Sequence, residues 1–376
     1  MLPEVKAAFG LGALEVGGIA ALREVLSGLI TLPGGIIADV LRRYWGLVLA
    51  VCMAGFGLGW LVMGAAPVYG VLLLGMALVS VSTSLWHLPA MASLSHHFSH
   101  RRGTALSFHG IGGNIGDVAG PAITGFLLLV LAWREVLSIY AVAPILLAFV
   151  VFWAFRDIGK TADADTPLTD LAGQVRLTRQ LLRDPALWGV ILVAGLRGMA
   201  SLAFFTFLTL YLDEEAGLGK GARGLYFGLL VAVGVVSTPT MGYLSDRLGR
   251  KLVLVPGLLL LCILSLLMVP FGDGFTLPII IAALGLFLFS DQPILTAAAL
   301  DMVDEGVATS TLGVLSFSRF VMSGASPLIA GAMRDAWGFD AIFYYAAVLF
   351  ALAAVVLTMV PLRKRAGSPA AHGHAH

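Results

Sequence analysis

The stretch GYLSDRLGRK, residues 242–251, brings one acid, three basic residues and two glycines together in a chain that is otherwise strongly apolar. Its flanks, LVAVGVVSTPTM (230–241) and LVLVPGLLLLCILSLL (252–267), carry no charge. A blurred copy, GGIIADVLRR, lies at 34–43. Working outward, 59% of the 376 residues are hydrophobic and 12% charged. The mean hydropathy is +0.95. Soluble domains carry about 25% charged residues, so these charges cannot cover a soluble core of this size. They are bunched, and the intervals between them are long enough to cross a bilayer, which takes about 20 apolar residues as helix. A helix satisfies its own backbone polar groups in lipid. The reading is an all-α polytopic membrane protein.

Eleven spans are predicted, at 16–38, 45–66, 69–96, 103–131, 135–155, 187–212, 222–246, 251–271, 275–303, 308–333 and 339–362. They form an N-terminal bundle (1–155), a polar cytoplasmic central loop (156–186), a C-terminal bundle (187–362) and a disordered cytoplasmic tail (363–376). Fifteen of the 23 Lys and Arg fall in the turns at 39–44, 97–103, 156–186 and 247–251 and at the C-terminus. That side is cytoplasmic by the positive-inside rule, which puts the C-terminus inside and, with eleven spans, the N-terminus outside. Cys52 and Cys262 lie in apolar stretches and read as packing residues. The tail histidines read as solvated, and no metal or cofactor site is expected. A net charge of +1 implies no nucleic-acid partner, and no secretory signal peptide is visible.

Gly35, Asp39 and Arg43 each precede Gly242, Asp246 and Arg250 by 207 residues. The pairs Ala119-Gly-Pro121 and Ala325-Ser-Pro327, Ala132-Trp and Ala336-Trp, and His87-Leu-Pro89 and Asp291-Gln-Pro293 repeat at 204–206. The chain is therefore two homologous halves, a construction used by secondary transporters.

GYLSDRLGRK resembles the G-x-x-x-D-[RK]-x-G-[RK]-[RK] signature of the major facilitator superfamily, and GGNIGDVAGPAITG (112–125) resembles the fifth-helix pattern of its antiporters through Gly116, Gly120, Pro121 and Gly125. Residues 84–121 look most like the fosmidomycin-resistance-type branch. The resemblance implies two six-helix bundles working by alternating access. Only about 33 residues precede the first copy of the signature, so the first helix of a twelve-helix fold is expected to be absent. The resemblance makes Gly35, Asp39, Arg43, Gly242, Asp246, Arg247, Gly249 and Arg250 a conformational latch. In it Asp39 and Asp246 would face a helix N-terminus of the other half, where negative charge is stabilised. Read physically, Gly35 and Gly242 let neighbouring helices approach closely, and Gly116, Gly120 and Gly125 form a tight helix-packing stripe.

An ionisable group in hydrocarbon costs roughly 2.5–3.5 kcal/mol on insertion scales, so it faces a cavity or a partner. The candidates are Arg23, His87, Asp117, Arg197, Asp291 with its neighbour Gln292, and Arg319. None lies on the helices that the resemblance makes lipid-facing. Arg197 and Arg319 are expected to pair with Asp117 and Asp291 or with a substrate. His87 and Asp291 stand at equivalent positions of the repeat and are the candidates for proton coupling, facing each other across the pseudo-axis. Glu15 and Glu24 are expected to be solvated near the outer surface. The function expected is proton-coupled export of a small polar or anionic molecule by a monomeric inner-membrane transporter that is not an enzyme. Import of an organic anion, a transporter-derived sensor and an intramembrane enzyme are the rivals.

Overall fold

The computed structural model describes residues 1–40, 42–156, 158, 185–303 and 308–362. Most of the central loop and the whole tail assigned above lie outside these residues. The described residues form helices and turns, with α1 (Leu2–Phe9), α2 (Ala13–Val40), α3 (Trp45–Ala65), α4 (Tyr69–His97), α5 (Arg102–Val130) and α6 (Trp133–Phe155) in the first half. The second half comprises α7 (Pro185–Glu214), α8 (Lys220–Leu248), α9 (Arg250–Phe271), α10 (Thr276–Leu288), α11 (Asp291–Asp301), α12 (Ala308–Trp337) and α13 (Phe339–Met359). Among the described residues, nine helical segments are long and apolar enough to cross a membrane, α10 and α11 together counting as one. The equally long α2 and α12 join the same bundle.

The repeat read from sequence is visible in the backbone. α1 closes at Gly10 (φ 63°), and the N–H of Leu11 donates to the Lys6 carbonyl at 3.0 Å. Gly217, 207 residues on, ends α7 with φ 61°. A left-handed residue after a helix is the usual place for glycine, which has no Cβ to clash there. In each half one helix pair lies outermost: α3 packs on α6, and α9 on α13. Their outer faces are apolar, with Trp153 76% and Met359 78% exposed, as helices bathed in lipid require. By contrast, α7 is buried on nearly every side, among α12, α13 and the core of the second half.

The two halves meet along two seams, α2 against α12 and α5 against α8. A Cβ on Gly17 would run into the carbonyl of Pro327, and one on Gly331 into that of Ala13. In the other seam, a Cβ on Gly224 would run into the carbonyl of Pro121, and one on Gly125 into that of Lys220. Gly17 and Gly224 are 207 residues apart, Gly125 and Gly331 206. The seams are therefore copies of one another, each letting two backbones touch where small residues permit it.

Both seams lie toward the end of the molecule that carries the α1–α2 and α7–α8 turns, the end that the charge bias leads us to expect outside. Ion pairs between the halves cross there, from Lys6 to Glu214 and from Arg223 to Glu4. Asp335 accepts from the N–H groups of Ala13 and Leu14, at 3.3 and 3.2 Å, capping α2 from the opposite half. Ala13 and Val16 of α2 are buried in the core of the second half. This conformation is closed at the end that holds these contacts.

Candidate ionic site at the centre of the bundle

The site begins with a proline. Pro293 has no N–H to give the carbonyl four residues back, and its ring crowds that position. The span predicted as one helix over 275–303 accordingly breaks at Phe289 and Ser290 into α10 and α11. Irregular backbone at membrane depth survives only where protein covers it, and Ser290 and Asp291 are both 0% exposed. Ser290 donates to the Leu286 carbonyl at 3.2 Å across the break. Asp291 thus occupies the first position of a helix, where the dipole favours a negative charge.

Arg197 stands twelve residues beyond the start of α7, about 18 Å along it at 1.5 Å per residue, and its whole guanidinium fork is engaged. Nε donates to Asp291 Oδ2 at 2.6 Å, one terminal nitrogen donates to Gln292 Oε1, and the other to Ser201 Oγ at 3.3 Å. The Arg197 and Asp291 side chains are 7% and 1% exposed. The remaining carboxylate oxygen, Asp291 Oδ1, is buried without a hydrogen-bond partner among the described residues. A buried polar atom left unpaired costs about 1–3 kcal/mol, so this oxygen has acceptor capacity that a proton or a donor would satisfy.

Arg319 on α12 extends the site across the seam. It pairs with Glu24 of α2 at 3.5 Å and lies over the Phe320 ring at 4.4 Å from its centroid. Phe320 fills the space in front of Gly28 on α2. Arg197 and Asp291 are both within electrostatic reach of Arg319, so two cations and two acids form one cluster spanning both halves.

The cluster agrees with the sequence reading in part. Arg197, Asp291 and Gln292 come together, and Arg197 takes Asp291 as its partner. Arg319 takes Glu24, which corrects the expectation that Glu24 is solvated, since its side chain is 13% exposed. Its position in the first half of the predicted span 16–38 suggested the outer surface; the helix starts at Ala13, and packing of α2 on α12 buries Glu24. Ser201, one turn beyond Arg197, was also missed, although the i,i+4 spacing was present in the sequence. His87 does not face Asp291 but meets the His109 ring at 6.2 Å and is exposed. Asp117 is exposed on α5, within electrostatic reach of Arg23.

The motif glycines divide in the same way. Gly125 makes the close contact expected of the α5 stripe, whereas no described residue comes within 4 Å of where a Cβ of Gly116 or Gly120 would stand. Among the described residues the α5–α8 seam covers the C-terminal part of α5. Gly242 likewise has no neighbour within 4 Å of that position among the described residues, so the close approach expected there is not seen among them in this conformation. Asp246, 60% exposed, pairs with Arg250. Arg250 Nε donates to Asp301 at 3.1 Å, and Arg247 lies over the Tyr243 ring. All of these partners belong to the second half. Gly249, at φ 105°, makes the turn between α8 and α9. Arg43 is exposed, and the surroundings of Gly35 and the side chain of Asp39 lie outside what is described.

Two related helical bundles, closed on each other at one end and sharing a buried charge cluster at a broken helix, have the architecture of a membrane transporter. The family model described as Major Facilitator Superfamily matches residues 1–327 and 224–375. The chain belongs to the Major Facilitator Superfamily. Its relatives include the Fosmidomycin resistance protein of Escherichia coli, 23% identical over 356 residues, covering 92% of this chain and 84% of the relative. They also include the uncharacterized MFS-type transporter YfnC of Bacillus subtilis, 22% identical over 343 residues, covering 90% and 82%. Among solved structures, the nucleoside transporter NupG superposes with a TM-score of 0.77 at 13% identity, covering 95% of this chain and 92% of that one. A bacterial homologue of the human lysosomal transporter Spinster, in an inward-facing and occupied conformation, gives 0.70 at 16%, covering 95% and 98%. The chain is thus a multi-pass membrane protein of a transporter family.

Proposed function

We propose that the protein is a secondary active transporter that exports a small polar or anionic molecule in exchange for protons, without converting it chemically. Alternation between outward-open and inward-open states would be its working cycle. The observation that carries this reading is the buried Arg197–Asp291 pair with its unpartnered Oδ1, set at a helix break. It is a carboxylate that can hold or release a proton according to whether Arg197 is engaged elsewhere. Arg197 and Arg319 are the positive groups for the substrate anion. Efflux-type relatives, the Fosmidomycin resistance protein and the multidrug resistance protein MdtG, support the outward direction. The charge bias supports a cytoplasmic C-terminus, and a single copy contains the whole cluster.

The experiment is uptake into inverted vesicles of a panel of organic anions and neutral polar compounds, with and without an imposed proton gradient. Gradient-dependent accumulation is expected for at least one anion; its absence across the panel sinks the proposal. For the compound so identified, Arg197→Gln and Arg319→Gln should each weaken binding about tenfold, in line with the loss of one charge-assisted contact of about 1.5 kcal/mol. A neutral analogue should be affected less. Normal binding in both variants would make these arginines structural partners only.

The charged turn at 242–251 is proposed as the inner latch, engaged when the inner side closes. Its exposed Asp246, paired among the described residues with Arg250 of its own half, fits a latch that is open here. Asp246→Asn should leave the amount of protein in the membrane unchanged and slow transport about tenfold, by removing one dipole and ion-pair contact of the closed state. Asp39→Asn should act in the same direction. Wild-type turnover of Asp246→Asn would reduce the turn to a topology signal.

A further inference from the structure

The ion pair between Glu24 and Arg319 joins two roles that the reading above keeps apart. Glu24 lies on α2, in the first half, and Arg319 on α12, in the second. It stands on the same face as the seam contacts. A turn further on, Gly28 abuts Phe320, and nearby Val25 is the neighbour that a Cβ on Gly324 would meet. Toward the closed end, Gly17 touches Pro327 and Ala13 touches Gly331. The pair therefore lies within the inner part of one of the two outer seams, a turn before Gly28 meets Phe320. Arg319 also faces the central cluster: its side chain is 28% exposed, and its stem lies against the position of Gly198 on α7, one residue after Arg197. One guanidinium thus serves both the seam and the site.

We propose that Glu24 and the anionic group of the transported molecule compete for Arg319, so that an anion arriving at the central cluster breaks the bridge between the halves and releases the outer seam. A carboxylate or phosphonate has the geometry to take both terminal nitrogens of the guanidinium, whereas Glu24 holds one of them at 3.5 Å through a single oxygen. The bound anion offers nothing equivalent to α2, so the seam loses its ionic link while Arg319 keeps a counter-charge. A ligand shifts a conformational equilibrium only through its unequal affinity for the two states, and this exchange supplies the inequality. The proposal rests on the transporter reading for the identity of the anion but not for the seam.

The test reads seam opening directly. Val16, fully buried between α2 and the core of the second half, becomes the reporter as Val16→Cys in full-length protein with Cys52→Ala and Cys262→Ala. The label is a membrane-impermeant maleimide applied from the outer side. Labelling should be slow in this parent and rise about tenfold in Glu24→Gln, the change produced by about 1.4 kcal/mol of lost coupling between the halves. Arg319→Gln breaks the same pair from the other side and should match it, which keeps the test open if one variant misfolds. The exchanged pair, Glu24→Arg with Arg319→Glu, should return labelling toward the parent rate. Small carboxylates and methylphosphonate, added in turn, should speed labelling of the parent and leave Glu24→Gln unchanged. Parent-rate labelling in both single variants would overturn the seam link. Faster labelling in those variants with no response of the parent to any of the anions would overturn the competition. Neither readout requires transport, so a chain that fails every transport assay yet labels as expected would refute the transporter reading and leave the seam link standing.

Discussion

Asp291→Asn is expected to abolish accumulation against a gradient while leaving exchange of substrate across the membrane within a fewfold of wild type. Asn keeps the shape of the carboxyl and an acceptor for Arg197, which donates to Asp291 at 2.6 Å, so the local structure should persist. On the proposed mechanism Asn cannot bind and release a proton, so nothing would couple solute movement to the gradient. Inside the bundle, Asp291 is 0% exposed and the Arg197 side chain 7%. Deleting the carboxyl altogether, as in Asp291→Leu, therefore leaves a buried cation without its counter-charge. That variant should lose about 3–5 kcal/mol of stability, read as a large drop in the melting temperature of the detergent-solubilised protein. Asn and Leu should thus separate coupling from folding. Accumulation by Asp291→Asn at the wild-type level would move coupling to another group, with His87 and Asp117 the next to test. Wild-type stability of Asp291→Leu would mean that Arg197 has partners enough without it.

Gly224→Val should trap the transporter away from the closed conformation described here. A Cβ at this position meets the Pro121 carbonyl and the Gly125 backbone, and backbone atoms cannot swing aside as a flexible side chain can. Overpacking of this kind costs about 1–3 kcal/mol in cores that can adjust, and a rigid seam puts the effect at the upper end. The cost falls only on the state in which α5 and α8 touch, so folding into the open state is spared. Transport should fall about tenfold to a hundredfold, with faster maleimide labelling at Val16→Cys from the outer side. Gly17→Val, at the equivalent place in the other seam against the Pro327 carbonyl, should behave alike. If Gly224→Val labels and transports as wild type, the seam yields easily and does not gate the outer side.

The all-helical membrane character and the family were legible in the sequence because each depends on local composition or on spacing along the chain. An uncharged run has no other stable place than lipid, and the 207-residue step between Asp39 and Asp246 survives without any knowledge of contacts. The cost of an ion in hydrocarbon also singled out Arg197, Asp291 and Arg319 as residues in need of partners. Which partners they take was another matter. Arg197 and Asp291 are 94 residues apart and Glu24 and Arg319 nearly 300, and only the packing of α7 on α11 and of α2 on α12 brings them together. The sequence reading looked for Asp117 and His87 in the cluster and left Glu24 in solvent, because depth along a helix says nothing about which way its face turns. The helix break at Ser290 was signalled by Pro293, but other prolines, such as Pro144 and Pro256, sit inside unbroken helices. What distinguishes position 293 is the buried acid and arginine that accompany the freed backbone. The glycine stripe of α5 met the same limit. Its composition permits close packing along its whole length, and the relative placement of the two halves in this conformation grants it only from Pro121 outward.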